Sequence, residues 1–315
     1  MTVAAAGSLP GEAVPVAKGR PALAAALRHP AALLLLPACV AVAAGLLLPI
    51  LYLLALSLNP PVTGEVALAG ELTLRNYARL LDWFYFSVLL RTLWVSAVTT
   101  AISTVLGVAV AHSLWRTPPH RRGLLVVVVL APLLVSIVAR TFGWMLLLGD
   151  QGLVNAVLLR LGLVEAPLHL MFTQGAVIVG LVHVFLPFMV LSVLAAYDRI
   201  DPAIPEAAGT LGAGPFTVFR ETILPLLNPG IAAGVTIVFS LAMSSYVTPA
   251  LMGGSGAGVL TTLIYQQLVV TYDWHFAAAL VAVLLASTLL LLGAVLYHNA
   301  RRTRAWMTRP GSAPR

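Results

Sequence analysis

Apolar residues run along this chain in six long blocks, at about 31–58, 88–115, 123–148, 174–197, 229–252 and 276–298, and most polar residues fall between them. A helix rises about 1.5 Å per residue, so some 20 apolar residues match roughly 30 Å of bilayer hydrocarbon. The blocks therefore predict six transmembrane helices. A lipid-facing barrel strand would alternate with period two, and these runs are continuous, which excludes a β-barrel. The segments between, 59–87, 116–122, 149–173, 199–228 and 253–275, are connections. Two of them carry short helical patterns, Leu74 to Leu81 and Gly152 to Leu163, with Tyr77 and Trp83 suited to a membrane–water interface. The last connection opens on a Gly253-Gly254-Ser255-Gly256 turn and continues as an apolar stretch to Tyr272-Asp273-Trp274. These three segments fit either surface packing or docking of an external partner.

Composition agrees with the blocks. Charged residues make up 9% and hydrophobic residues 60%, whereas soluble proteins carry about 25% charge. The net charge of +7 suggests nucleic acid only superficially, because the basic residues flank the spans. Lys18, Arg20, Arg28, Arg116, Arg121, Arg122, Arg199, Arg220 and the Arg301–Arg315 group lie on one side. The other side holds only Arg75, Arg79 and Arg160, with Arg91 near a span end. Positive-inside bias then places both termini in the cytoplasm, and an even number of spans agrees in putting them on one side. The expected organisation is a disordered cytoplasmic N-terminus over 1–30, a six-span domain over 31–300 whose first run acts as a signal anchor, and a basic cytoplasmic tail over 301–315.

The chemical inventory is small enough to exclude several classes. Cys39 is the single cysteine, so neither a disulfide framework nor a thiolate metal cluster is expected. Lys18 is the only lysine and lies outside any G-x-x-x-x-G-K, so the chain has no P-loop. It also lacks H-E-x-x-H and G-x-S-x-G, so no catalytic residues and no metal are expected. None of the 11 carboxylates falls in the middle of a block, where ion-coupled carriers place theirs. Energy is thus expected from a partner.

Polar groups inside the blocks are candidates for a translocation path. Arg140 and Thr141 precede Phe142-Gly143-Trp144 in the third block, and His183 sits in the fourth. Ser244, Ser245, Tyr246 and Thr248 form a patch in the fifth. Alternatives stand beside each: Arg140 can snorkel to the outer interface or pair with Asp150, His183 can be a hydrogen-bonded core residue, and small hydroxyls can glue helices together.

The connection 199–228 is the most patterned stretch. Asp201-Pro202 is a helix start, with Asp able to accept backbone N–H bonds and Pro suited to the first turn. Good helix formers follow to 211, and Gly212 can take the left-handed conformation that ends a helix. Gly214-Pro215 starts a second helix, 215–223, which Pro225 and Pro229 are expected to end before the fifth span. No Lys or Arg occurs between Arg199 and Arg220, unlike a lipid-surface helix, which favours a protein partner.

Glu206-Ala207-Ala208, Gly212 six residues after the Glu, and Pro225 nineteen residues after it resemble the cytoplasmic "EAA" loop of ABC-importer permeases. Thr222, where an aliphatic residue is usual, and Pro205 depart from that pattern without disturbing its spacing. Pro132-Leu133-Leu134-Val135-Ser136, the Arg140–Trp144 stretch, Leu186-Pro187-Phe188 and Tyr246-Val247-Thr248-Pro249 are similar to permeases of the spermidine/putrescine type, in particular the first of that system's two permease subunits. The resemblance implies an all-α, polytopic type I ABC-importer permease fold in a bacterial inner membrane. It implies a second permease subunit, two ATPase subunits that bind ATP and Mg, and an extracytoplasmic substrate-binding protein. It makes Asp201, Glu206, Ala207, Ala208, Gly212 and Pro225 the coupling residues that receive work from the ATPase. The cargo it suggests is a polyamine, with an anion such as a phosphonate as the alternative that suits Arg140. A secondary carrier or channel, and a membrane scaffold without transport, remain as competing classes.

Overall fold

A computed structural model describes residues 30–60, 71–254 and 256–307, with side chains described over 36–60, 71–254 and 256–297. The expected disorder of the N-terminal segment, and the tail beyond 307, lie outside the described residues. Every described regular element is helical. Among the described residues, six helical stretches are long and apolar enough to cross a membrane: Leu36–Ser57, Trp83–Arg116, Ile137–Arg160, Gln174–Tyr197, Pro215–Ser244 and Trp274–Tyr297.

The chain divides by its internal contacts into 1–52 and 53–315. The first unit contains most of α1 (Pro30–Ser57), an apolar helix with Pro37 and Pro49 inside it. In the second unit come α2 (Arg75–Arg79), α3 (Trp83–Arg116), α4 (Pro119–Leu134), α5 (Ile137–Leu148), α6 (Leu153–Arg160) and α7 (Gln174–Tyr197). Then follow α8 (Ala203–Thr210), α9 (Pro215–Ser244), α10 (Val247–Met252), α11 (Leu260–Val269) and α12 (Trp274–Met307).

Helices α3, α7 and α9 pack most closely and enclose the main core, with Met189, Val190, Val193, Leu227 and Val238 all fully buried. Lipid offers no hydrophobic drive for helices to associate, so close van der Waals approach has to supply it. Glycine makes that approach possible: a Cβ on Gly107 would stand 2.5 Å from Met189 Cγ, and one on Gly230 only 2.8 Å from the Ser192 carbonyl oxygen. A second cluster, Val88, Leu260, Leu263, Ile264, Phe276 and Leu280, joins α3, α11 and α12. Near it Arg79 meets Asp273 at 2.7 Å with its guanidinium 3.8 Å over the Phe276 ring. Buried Asn76 donates to the Ser57 and Asn59 carbonyls at 3.0 and 2.8 Å, fixing α2 on the chain before it.

The structure differs from the hydropathy reading at five points. The second span begins at Trp83 rather than 88, because the Asp82 side chain accepts from Phe84 N at 2.9 Å and caps the helix there. The third block is two helices, α4 and α5, interrupted at Val135-Ser136 just after Pro132, whose ring strains the helix it sits in. The fifth block is likewise interrupted at Ser245-Tyr246. Its start runs back without a stop to Pro215, so Pro225 and Pro229 do not end a separate helix. A π-helical turn over Val218–Ile223 widens the helix immediately before Pro225, where the ring would otherwise press on the carbonyl four residues back. Finally, α11 is a helix where only an apolar stretch was expected.

Candidate functional site

The patterned connection folds from local signals. Asp201 Oδ1 accepts from Ala203 N at 2.9 Å and opens α8. Gly212, at φ +87°, closes it, with Gly212 N and Ala213 N donating to the Gly209 and Ala208 carbonyls. Pro205 falls in the first turn, where its missing N–H has no intrahelical partner to lose. Glu206 and Ala207 are exposed, Ala208 is half-buried, and Leu211 and Phe216 are 88% and 74% exposed. Large apolar side chains so exposed at the turn between α8 and α9 mark a contact surface. Pro225, in the first turn of the α-helical part of α9, is half-buried.

Behind α8 lies an aromatic cluster that ties it to the spans. Trp115 stacks on Tyr197 with ring centroids 5.1 Å apart, and His112 Nδ1 is 2.9 Å from the Tyr197 hydroxyl. Phe219 meets the His112 ring edge-on at 5.2 Å. A cleft of about 390 Å³ separates this cluster from α8, lined by His112, Trp115, Arg116, Pro205, Glu206 and Phe219 among others. The ends of α3, α7 and the start of α9 are thereby joined at one point under the connection. Arg122 reaches Asp198 at 2.6 Å, adding the start of α4. The sequence reading missed this cluster, whose members lie up to 107 positions apart (112 and 219) and carry no shared motif.

The candidate path residues separate into two groups. On α5, the Arg140 guanidinium donates to the Pro132 carbonyl, the acceptor that Ser136 N would occupy if α4 continued unbroken. Arg140 is therefore not paired with Asp150, which stands 3.2 Å from His169 instead. Thr141 is buried and donates to its own helix at Ile137 O, 2.7 Å away. Trp144 Nε1 donates to His183 Nδ1 at 3.1 Å across to α7, which puts the neutral ring's proton on Nε2. Thr248 on α10 is buried against Gly180 of α7, where an added Cβ would stand 2.7 Å from its methyl.

The second group lies at the interruption that ends α9, where Ser245 and Tyr246 meet α11. Ser244 is exposed and bonds its own helix at Ser240 O, 3.0 Å. The Ser245 carbonyl, at the interruption, accepts from Thr261 Oγ1 at 2.7 Å. Tyr246 pairs with Tyr265, ring centroids 4.8 Å apart. Thr261 and Tyr265 escaped the sequence reading because α11 itself was not foreseen. Among the described residues no cluster of His, Cys, Asp or Glu has metal-binding geometry.

Residues 103–305 match the family described as binding-protein-dependent transport system inner membrane component. The chain is 38% identical over 207 residues to the spermidine/putrescine transport system permease protein PotB of Escherichia coli (strain K12), covering 66% of this chain and 75% of that one. It is 39% identical over 207 residues to the PotB of Salmonella typhimurium (strain LT2), covering 66% and 72%. The inner membrane ABC transporter permease protein YdcU of Escherichia coli (strain K12) is 32% identical over 215 residues, covering 64% and 68%. A solved bacterial alginate ABC transporter in complex with a periplasmic protein carrying an alginate pentasaccharide superposes with a TM-score of 0.69 at 18% identity, over 86% of this chain and 94% of that one. At that identity the likeness concerns the fold.

Proposed function

We propose a role for this chain from one premise: it belongs to the binding-protein-dependent transport system inner membrane components. It is a multi-pass inner-membrane permease of an ABC importer. In the role we propose, it forms half of a translocation path beside a second permease subunit, with both termini and the 199–228 connection in the cytoplasm. Of two ATPase subunits that bind ATP and Mg, one docks on α8, and a substrate-binding protein delivers cargo at the opposite face. The exposed surface of Glu206, Leu211 and Phe216 carries the docking reading. Asp201 and Gly212 fix the ends of α8, Ala207 and Ala208 admit close approach, and Pro225 marks where the π turn hands motion to α9.

The mechanics follow from the packing. A displacement of α8 reaches the π turn that packs against it and, through Phe219 of that turn, acts on His112, Tyr197 and Trp115 and so on three spans at once, because interlocked aromatic rings move as a body rather than deform. Rigid-body rocking of those spans, biased by nucleotide-dependent contacts with the ATPase, alternates access to the path. The proposed cargo is a polyamine, supported by relatives named for spermidine and putrescine at 38–39% identity. With no carboxylate in the middle of a span, a cationic cargo would be met by the faces of Tyr246 and Tyr265. The test is uptake of labelled spermidine into proteoliposomes holding the complete importer. Uptake should need ATP on the side that carries α8. Uptake driven by an ion gradient alone, without ATP, refutes the reading.

A further inference from the structure

The interruption between α4 and α5 is exposed on this chain. Leu134 is 82% and Val135 49% exposed, Ser136 is exposed, and α4 buries none of its residues. The interruption falls in the middle of the apolar block 123–148, with the 12 residues of α5, about 18 Å, after it and the apolar part of α4 before it. Irregular backbone at membrane depth does not face lipid, since hydrocarbon leaves its N–H and C=O groups without partners. A water-lined wall is equally ill-suited, because the surrounding side chains, Leu134, Val135, Ile137 and Val138, are all apolar and exposed. Lipid and water being disfavoured, the cover is protein.

The charge at this place says what that protein carries. One guanidinium N–H group of Arg140 bonds the Pro132 carbonyl, while its Nε is buried without a hydrogen-bond partner. The ion pairs among the described residues are Arg79–Asp273, Arg122–Asp198 and His169–Asp150, so Arg140 belongs to none. The first turn of α5, which Ser136 does not cap, adds positive potential of the same sign. A membrane-depth arginine is costly unless it is paired. We propose that this exposed interruption is the seat of a helix of the second permease subunit that places a carboxylate on Arg140. A second copy of this chain is a poor occupant, because none of its carboxylates lies in the middle of a span. The partner subunit is therefore a different sequence, with an Asp or Glu inside one of its apolar helices.

This rests on the paired-permease reading, and the experiment separates the two. The complete importer is purified through a tag on this chain, and the recovery of the second permease is measured. Failure of the wild-type chain to recover a second permease refutes the pairing itself. Given pairing, Arg140→Gln removes the charge and leaves a polar side chain, and should lower recovery roughly tenfold or more. Arg140→Lys, which keeps the charge, should retain most of it, and serves as the test should the Gln variant not fold. Suppressors of Arg140→Glu should convert one intramembrane acid of the second permease to Lys or Arg. Full assembly of a folded Arg140→Gln variant overturns the proposal, whether the change instead alters cargo charge preference or strips an anionic lipid seen by native mass spectrometry. Suppressors confined to this chain, at Glu65 for example, also overturn it.

Discussion

Replacing Gly230 by alanine tests whether close helix packing holds the core together. Gly230 lies where α9 crosses α7. A Cβ there would stand 2.5 Å from the Ala196 Cβ, 2.8 Å from the Ser192 carbonyl oxygen and 3.4 Å from Val193 Cα. Two of those atoms are backbone and the third is fixed to it, so no side-chain rotation relieves the clash. The helices would have to part by roughly 1 Å, forfeiting dispersion along the contact. Overpacking of this kind costs about 1–3 kcal/mol, against which better helix propensity returns about 1 kcal/mol. The net loss is then about 0–2 kcal/mol, toward the upper end here because backbone atoms cannot give way. Gly234→Ala, one turn on, is the control: its new Cβ meets chiefly the Met189 sulfur, the flexible part of an adaptable side chain. Thermal unfolding in nanodiscs, followed by tryptophan fluorescence, should rank Gly230→Ala clearly below both the wild type and Gly234→Ala. A Gly230→Ala melting point at or above the wild type would refute glycine-mediated approach as the source of core stability.

Other expectations follow from single contacts. Glu206→Lys should leave folding intact while ATP hydrolysis by the assembled importer no longer drives uptake, and unchanged ATP-driven uptake would count against a coupling role. Trp144→Phe removes the donor to His183 and should cost about 0.6 kcal/mol, the mean for hydrogen bonds between membrane helices. His183→Ala combined with it should add less than its effect alone, a coupling that a double-mutant cycle in nanodiscs measures. Arg79→Ala removes both the Asp273 pair and the contact with Phe276; because the guanidinium is about one-third exposed, the expected loss is about 1 kcal/mol or less. Equal melting points for Arg79→Ala and the wild type in low salt would remove this pair from the account.

Local structure was legible wherever a signal sits within one turn of its effect. Asp201-Pro202 and Gly212 mark the two ends of α8, because a carboxylate beside free N–H groups and a residue free to take positive φ act on immediate neighbours. The same local reasoning went wrong at Pro225 and Pro229. It treated proline as a stop, whereas a π turn accommodates the ring and the helix continues. Arg140 shows a different limit. Its intramembrane charge was evident from the block around it, but Asp150, one of the alternatives for it, was suggested by nearness in sequence, and the interrupted helix offered a carbonyl closer at hand.

What the sequence by itself determined is the number of spans, their side-to-side charge bias and the helix in the long connection, since partition into hydrocarbon and helix capping depend on composition and near neighbours. Only the tertiary structure decided where the third and fifth blocks break, that Trp144 meets His183, and that His112, Trp115, Tyr197 and Phe219 form one cluster beneath α8. The physical reason is the solvent. Lipid tails are as apolar as a helix core, so hydropathy cannot distinguish a side chain facing a neighbouring helix from one facing the bilayer, and that choice falls to shape and to long-range polar partners.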